Sequence, residues 1–325
     1  MIIGLVEHEQ GKLNERTAEM LTLGWKLAAQ MGAPLAAVVM GEAAPELAER
    51  LATLGVSTVY AVKHERLSSY APEAWARCVE QIMAAAKPAA VMAAGSERGN
   101  EVMAYLGALT GLPLAANCTE AQPGEAFFVT RQCWGGTLWE EARIHGAVKL
   151  LTVAPLAVAA EEAPAPAALS VSEFSPTLTD KDLRVRVVER IETASGRVTL
   201  AEARVVVSGG RGAGSAEGFR PLEELAGLLG AAVGCSRAVT SAGWRPHADQ
   251  IGQTGTRISP EIYIACGISG ATQHIVGCKG SKHILAINTD PEAPIMSAAD
   301  YAIVGDMHAV VPALCTEIRK RRGAA

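Results

Sequence analysis

Short runs of apolar residues alternate with longer amphipathic segments along the first half of the chain. Nearly every position within a run is apolar, as in parallel strands that are buried on both faces. The segments between the runs repeat apolar residues every three to four positions, which is typical of helices that pack one face onto a sheet. The predicted strands are Ile2–Val6, Leu35–Met40, Val56–Val62 and 89–94. This alternation predicts an α/β fold built on a parallel sheet.

The same alternation returns in the last third of the chain, where residues 203–207, Ile262–Cys266, 284–288 and Tyr301–Val304 are predicted strands. Apolar residues at helical spacing follow the first of these strands and also end the chain. They are Leu222, Leu225, Leu229, Val311, Leu314 and Ile318. The pattern predicts a second α/β domain.

Two segments lie between these regions. Residues 159–175 are rich in alanine, glutamate and proline without a period, which predicts a linker or a surface excursion. Residues 183–191 alternate apolar and charged side chains, which predicts a half-exposed strand of the first domain. We place the boundary within residues 192–197, so the predicted domains are 1–192 and 193–325.

The charge distribution argues against a nucleic-acid partner. The formal net charge is −5, and Lys and Arg form no stripe apart from the run at residues 319–322. Cations at the end of a last helix oppose the negative end of its dipole, which is sufficient reason for that run. We therefore expect no contact with nucleic acid.

The cysteines and the N-terminus bear on location. Seven cysteines form an odd set without a C-x-x-C pair, which predicts reduced thiols of a cytoplasmic protein. No basic region precedes the first apolar run, and no segment approaches the roughly 18 apolar residues of a membrane span. We expect no direct membrane insertion.

Glycine and polar residues mark the carboxyl ends of the strands in the second domain, in the sequences SGGRG, CGISG, AIN and VGD. Open α/β sheets bind nucleotides at these ends, and glycine lets a phosphate approach the backbone. Neither G-x-G-x-x-G nor G-x-x-x-x-G-K-[ST] is present, so the pattern predicts another type of nucleotide site. In the first domain, Ser96, Glu97 and Arg98 also follow a strand, either as ligand-binding residues or as an ordinary loop.

Two long segments carry a more specific signal. Residues 234–255 read GCSRAVTSAGWRPHADQIGQTG, and residues 259–306 contain IYIACGISGATQH and AINTDPEAPIMSAADYAIVGD. Over residues 205–312 this sequence closely resembles the C-terminal signature of electron-transfer flavoprotein alpha subunits. The first half resembles the family more loosely, through its strand–helix pattern and residues 87–118.

The resemblance implies a fold, a cofactor and a function. It implies an N-terminal nucleotide-hydrolase-like parallel-sheet domain without a catalytic role and a C-terminal doubly wound domain that binds FAD. The chain is then a redox carrier rather than a classical enzyme, with no catalytic residue and no metal site of its own. The cofactor-binding residues that it implies are Arg211, Ser236, Arg237, Ile251, Gly252, Gln253, Thr254, Ser269, Gly270, Ala271, Thr272, Gln273, His274, Asn288, Asp306 and Met307.

The matched positions imply separate roles within that set. Arg211 and Ser236 correspond to ligands of the FAD pyrophosphate, and Ser269 to Gln273 are expected to open a helix whose N–H groups also suit a diphosphate. Arg237 corresponds to an arginine against the flavin ring, while Gln253 and Thr254 correspond to residues that hydrogen-bond the ring. His274 is expected five residues into the helix, beside the flavin C2 carbonyl.

The remaining positions of the match are assigned as follows. Asn288 and Asp306 correspond to the adenosine half, although Asp306 could also serve only as a helix N-cap. A fixed cation favours the negatively charged reduced flavin, and Arg237 and His274 are the candidates for that cation. His247, His283 and His308 are expected at the surface.

The resemblance also implies partners. Family members work as a heterodimer with a beta subunit that carries AMP or a second FAD. They take electrons from an acyl-CoA dehydrogenase-type flavoenzyme and pass them to a quinone oxidoreductase or a reductase. Two alternatives stay open: a subunit of an NADH-dependent electron-bifurcating or acyl-CoA reductase complex, and a non-redox nucleotide-binding module.

The chain departs from the family pattern at several positions. Ala213 and Gly214 stand where the family has a bulky apolar residue and a lysine, so a cation near the phosphates is missing. Cys278 and Met296 replace the more common methionine and phenylalanine. In RQCWGGTLW (131–139), the two tryptophans are either core or partner contacts.

Overall fold

The computed structural model describes residues 1–9, 11–67, 69–136, 138–187, 199–200 and 203–323. The chain forms two compact units, Met1–Ile191 and Glu192–Ala325. The boundary predicted at residues 192–197 lies outside the described residues. Among the residues described, no helix combines the length and the apolar character needed to cross a lipid bilayer.

The first unit is a nine-stranded sheet with helices on both faces. Its strands and helices are β1 (Ile2–Val6), β2 (His8–Glu9), β3 (Lys12–Leu13), α1 (Glu15–Gln30), β4 (Leu35–Met40), α2 (Ala44–Thr53), β5 (Val56–Val62), α3 (Pro72–Ala86), β6 (Ala90–Ala94), α4 (Glu97–Thr110), β7 (Leu114–Gln122), β8 (Phe127–Cys133), β9 (Leu138–Ile144), β10 (Lys149–Val153) and β11 (Ser170–Phe174). The strand order is β11-β5-β4-β1-β6-β10-β7-β8-β9. Two separate hydrophobic clusters cover its faces.

Of the four apolar strands predicted in this unit, three have the predicted bounds, and the fourth, β6, begins one residue later, at Ala90. The sequence did not predict that the sheet is mixed. β8 pairs antiparallel with β7 and β9, while the pairs on the other side of β7 are parallel. The residues of β9 are mostly exposed, so this strand lacks the apolar run on which the prediction depended.

Two predictions for the end of this unit are wrong. Residues 159–175 are not only a linker, because β11 pairs in parallel with β5 at the edge of the sheet. Residues 183–187 form no strand: a 3₁₀ turn covers Asp180–Leu183, closed by reciprocal hydrogen bonds between Thr179 and Asp182. This capping box fixes the turn, and it leaves Val185 46 % exposed. The rest of the predicted strand lies outside the described residues.

The second unit is a five-stranded parallel sheet. Its elements are β12 (Val205–Gly209), α5 (Arg220–Leu229), β13 (Ala232–Cys235), α6 (Arg237–Ser241), β14 (Ile262–Cys266), α7 (Thr272–Cys278), β15 (His283–Asn288), α8 (Pro294–Ser297), β16 (Tyr301–Val304) and α9 (Met307–Gly323). The strand order is β13-β12-β14-β15-β16.

Side chains that alternate along the strands divide the core of this unit into two layers. Val207 and Ile264 face a cluster with α5 and α9, whereas Val206 and Tyr263 face one with Ile251. Three strands of this unit depart from the prediction, and the smallest departure is that of β15, which begins one residue earlier, at His283. β12 begins two residues later than predicted, and β13 was not predicted because glycine and cysteine fill half of its four positions.

Candidate functional site

The predicted site residues gather at the carboxyl edge of the second unit's sheet. From β12 the chain runs through α5 to β13 on one side, whereas from β14 it runs through α7 to β15 on the other. The connections of β12 and β14 therefore diverge, which opens a crevice beyond their carboxyl ends. Open α/β sheets bind their ligands in such a crevice.

Two adjoining clefts occupy this edge, with volumes of about 470 and 310 Å³. Ser236 and Ser269 line both clefts, so the two are continuous. The predicted residues that line only the larger cleft are Arg211, Asn288, Asp306 and Met307. Those that line only the smaller cleft are Arg237, Ile251, Gly252, Gln253, Thr254, Gly270, Ala271, Gln273 and His274. Thr272 lines neither cleft.

Glycines bring two strand-end turns into backbone contact. The N–H of Gly212 donates to the carbonyl of Gly267 over 3.0 Å, and a Cβ at Gly212 would lie 2.6 Å from the Cα of Gly267. A Cβ at Gly210 would lie 2.2 Å from the Gly267 carbonyl oxygen. Because no side chain fits at these positions, the floor of the larger cleft is bare backbone, as a phosphate group requires.

The helix expected to open at residue 269 begins three residues later. Gly270 has a φ of 79°, and a Cβ there would lie 2.3 Å from the backbone nitrogen of Ile295. This left-handed residue, pressed against α8, keeps Ser269 to Ala271 in a loop. α7 starts at Thr272, so His274 lies two residues into the helix rather than five.

Ser236 and Arg237 lie where the two clefts meet. The Ser236 N–H donates to the carbonyl of Gly209 over 3.0 Å, which ties the start of α6 to the end of β12. The Ser236 hydroxyl makes no capping bond to α6, so it is available to a ligand. Arg237 and Arg211 are both exposed, and neither forms an ion pair with a carboxylate in the part of the chain that the structure describes.

The loop that contains Gly252 is fixed against α7. The N–H of Gln253 donates to the carbonyl of Gln273 over 2.8 Å. Gly277 permits this approach, since a Cβ there would lie 2.4 Å from the Cα of Gly252. These contacts set the position of the loop relative to the helix that carries His274.

Gln250 is a residue of the smaller cleft that the sequence analysis did not single out. It is buried, it accepts a hydrogen bond of 2.6 Å from the Thr240 hydroxyl, and its amide donates to Thr254 over 3.1 Å. It thereby holds Thr254 to α6. The available signal was a polar residue directly before the strongly matching IGQTG.

His274 is 6 % exposed and has one satisfied and one unsatisfied ring nitrogen. Its Nε2 lies 2.7 Å from the hydroxyl oxygen of Tyr263, whereas Nδ1 has no partner of standard geometry among the described residues. Desolvation lowers the pKa of His274 to about 4. This low pKa favours a neutral imidazole at pH 7, which argues against the expectation that His274 supplies a fixed cation.

Asn288 and Asp306 both support backbone at the far end of the larger cleft. The Asn288 amide donates to the carbonyl of Ile268 over 2.8 Å, and its oxygen accepts from the N–H of Asp290. The Asp306 carboxylate accepts from the N–H of His308 over 2.9 Å, so it caps α9. Asp306 thus caps the helix while it also lines the cleft.

Comparison with known proteins agrees with this geometry. The model of the electron transfer flavoprotein domain matches residues 2–179, and that of the electron transfer flavoprotein FAD-binding domain matches residues 199–279. The chain belongs to the electron transfer flavoprotein alpha subunits. Its cofactor is FAD. Asn288, Asp306 and Met307 lie beyond the FAD-binding match.

Relatives named electron transfer flavoprotein subunit alpha align over nearly the whole chain. The protein of Thermoanaerobacterium thermosaccharolyticum is 35% identical over 97% of this chain and 96% of its own length. That of Mycobacterium leprae is 38% identical over 98% of both chains, and that of Bacillus subtilis is 35% identical over 98% and 97%. Because both units are covered, the resemblance is not confined to the FAD-binding signature.

The residues of this alpha subunit suit FAD. The bare backbone at Gly210, Gly212 and Gly267 leaves room for phosphate, and Arg211 beside it forms no ion pair with any described carboxylate. In the smaller cleft, the unsatisfied Nδ1 of His274 is a buried polar atom that a ligand can satisfy. The two clefts therefore offer phosphate-type and ring-type contacts side by side.

The candidate ligands of the first unit are engaged internally. The Ser96 hydroxyl caps α4 by accepting from the N–H of Gly99 over 2.8 Å, and it also donates to the buried carboxylate of Glu7. Arg98 lies 3.5 Å from Glu9 and over the ring of Tyr70. These contacts favour the ordinary-loop alternative for this turn. In the second unit, His247, His283 and His308 are exposed, as the sequence analysis expected.

Proposed function

We propose that FAD lies across both clefts, with its pyrophosphate in the larger one and its flavin ring in the smaller one. The observation that carries this proposal is that the two clefts share Ser236 and Ser269 and that each has one arginine without an ion-pair partner among the described residues. In this arrangement Arg211 and Ser236 bind the pyrophosphate. Asn288 and Asp306 shape the end that takes the adenosine half.

The residues of the smaller cleft orient the ring and set its electrostatics. FAD supplies one- and two-electron chemistry when it is bound. Arg237 holds a positive charge beside the ring, and a contact of about 2 kcal/mol in favour of the reduced form raises a one-electron potential by roughly 90 mV. His274 contributes a neutral hydrogen bond rather than a charge. Gln250 keeps Thr254 in place as a further hydrogen-bond donor or acceptor.

The chain is a carrier in this account, working as a heterodimer with an electron transfer flavoprotein beta subunit that carries AMP or a second FAD. Electrons arrive from an acyl-CoA dehydrogenase-type flavoenzyme and leave to a quinone oxidoreductase or a reductase. The support is the family itself, whose relatives are named as alpha subunits. Membership of an NADH-dependent bifurcating or acyl-CoA reductase complex is the alternative, and a second FAD in the beta subunit would favour it.

The flavin content of the purified complex tests this proposal. The full chain is produced with its beta subunit, and the flavin is released, identified and quantified. We expect FAD, and we expect Arg211→Ala to weaken its binding about tenfold or more because a charge-assisted phosphate contact is lost. Arg220→Ala is the matched control, since Arg220 is an exposed arginine of the same unit that lines neither cleft.

Two results would contradict the proposal. A complex that contains no FAD after reconstitution would refute the cofactor assignment to these clefts. Equal affinities in Arg211→Ala and Arg220→Ala would show that the larger cleft does not hold the pyrophosphate.

A further inference from the structure

A buried tyrosine stands behind His274. Tyr263 is the second residue of β14, it is fully buried, and its hydroxyl oxygen lies 2.7 Å from Nε2 of His274. Desolvation raises the pKa of this phenol well above its usual value, so the group stays neutral and its proton needs an acceptor. Tyr263 lines neither cleft, whereas His274 lines the smaller one.

The surroundings of the ring decide which of the two groups donates. The Tyr263 hydroxyl has Nε2 of His274 as its one hydrogen-bond partner of standard geometry among the described residues, so donation to that nitrogen is what satisfies its proton. A neutral imidazole carries one proton. With that proton on Nδ1, Nε2 can only accept, and Tyr263 is the donor.

Ser208 on the neighbouring strand β12 supports the same direction. It is fully buried, and it lowers the pKa of Tyr263, although burial still holds that pKa well above its usual value. Its Oγ also makes no hydrogen bond of standard geometry among the described residues, so it competes weakly for the tyrosine proton. Tyr263 therefore donates to Nε2 of His274, which leaves the proton of the neutral imidazole on Nδ1 in the smaller cleft.

We propose that Tyr263 is a positioning residue of the FAD site, which donates to Nε2 and thereby fixes His274 as the neutral tautomer that presents Nδ1–H to an acceptor atom of the flavin ring. This inference rests on the proposed function, because the acceptor belongs to FAD. A fixed donor strengthens when its acceptor gains negative charge. Tyr263 thus favours the reduced cofactor through His274 without touching it.

A double-mutant cycle in the full complex with the beta subunit tests this role. Tyr263→Phe keeps the ring and removes the donor. We expect FAD to bind about five- to tenfold more weakly, as for the loss of one buried hydrogen bond, and the first-electron potential to fall. A tenfold difference between the two redox states corresponds to about 59 mV for one electron. In the His274→Ala background, Tyr263→Phe should change neither quantity.

A matched control and a second measurement keep the test decisive. Tyr301→Phe removes a hydroxyl from the exposed edge of the same sheet and should alter neither affinity nor potential. Equal effects of Tyr263→Phe in the parent and His274→Ala backgrounds would overturn the proposal, because they would mark a purely structural role.

Nitrogen NMR of the histidine-labelled parent complex reads the tautomer without any variant. A proton on Nδ1 and a bare Nε2 are expected, and a proton on Nε2 would overturn the proposal. The two hypotheses fail separately. A parent complex without FAD refutes the proposed function, while the tautomer measured in that same complex still decides the role of Tyr263.

Discussion

Burial favours the neutral form of His274, whereas Arg237 is exposed and keeps its positive charge. The histidine is enclosed by Tyr263 and the Ile251 loop, and desolvation holds its pKa at about 4. The arginine is exposed at the rim of the same cleft and has no carboxylate partner in the described part of the chain. Only Arg237 of this pair can therefore supply a permanent positive charge to the ring.

Replacing Arg237 with alanine should lower the potential of the bound flavin. Removal of a fixed cation disfavours the negatively charged reduced forms, by up to roughly 90 mV for a contact of about 2 kcal/mol. FAD should still bind, since Arg211 and Ser236 are separate contacts. Spectroscopic redox titration measures the change, with Arg220→Ala as the control. An unchanged first-electron potential in Arg237→Ala would show that this residue does not tune the flavin.

His274 should also make the stability of the second unit depend on pH. Its pKa is about 4 in the folded chain against 6.5 for the ordinary side chain, so the unfolded state binds more protons between these values. Stability is then fully present above pH 6.5 and is lost as the pH falls towards 4, by an amount on the order of 3 kcal/mol.

Denaturant unfolding of the parent and of His274→Gln across pH 4 to 7 measures this contribution. Carboxylates titrate in the same range in both proteins, so the difference between the two curves isolates the histidine. The parent should lose more stability than the variant on acidification. Parallel curves would mean that His274 is not neutral and buried in the folded protein.

At the scale of elements, paired glycines decide how closely the cleft walls approach. Gly277→Ala should place a methyl group 2.4 Å from the Cα of Gly252 and displace the Ile251–Thr254 loop from α7. Overpacking of this kind costs about 1–3 kcal/mol. We expect a loss of FAD affinity of roughly tenfold or more together with lower thermal stability.

Gly227→Ala is the matched control for that variant. Gly227 lies in α5 with open space where a Cβ would be, so alanine should stabilise the helix by about 0.4–1 kcal/mol and leave FAD binding unchanged. Calorimetry and FAD titration of both variants provide the comparison. Normal FAD affinity in Gly277→Ala would show that the loop does not need its contact with α7.

The strands that the sequence predicted best are those with a continuous apolar run. β1, β4, β5, β14 and β16 have the predicted bounds because nearly every residue in each of them is apolar, even in β16, which is exposed. β13 was not predicted because Gly234 interrupts its apolar run. Glycine stands there because a Cβ at this position would lie 2.4 Å from Cδ1 of Ile251. The antiparallel strand β9 was not predicted because its side chains are largely exposed and form no apolar run.

The resemblance identified the residues of the candidate site, whereas their contacts, burial and protonation could be read only from the fold. All the predicted residues except Thr272 line one of the two clefts. The delayed start of α7 follows from the contact of Gly270 with α8, which no local pattern contains. The pairing of Tyr263 with His274 and the resulting neutral imidazole likewise depend on tertiary burial.

At the scale of the whole molecule, large apolar side chains remain at the surface of both units. Trp139 is 61 % exposed in the first unit, and Tyr301 is 63 % exposed at the edge of the second unit's sheet. We expect the chain produced alone to aggregate and to lose its flavin, and the complex with a beta subunit to stay monodisperse. Light scattering after size-exclusion chromatography measures both. A monodisperse, FAD-loaded monomer at low micromolar concentration would contradict this expectation.

The position of the flavin in an experimental structure of the FAD-loaded complex tests the central claim most directly. We predict the pyrophosphate against the Gly210–Gly212 turn within reach of Arg211 and Ser236, and the ring in the smaller cleft with Arg237 against it and Nδ1 of His274 at hydrogen-bond distance. Density for the flavin ring in the larger cleft, or for FAD in the first unit instead of the second, would contradict the account.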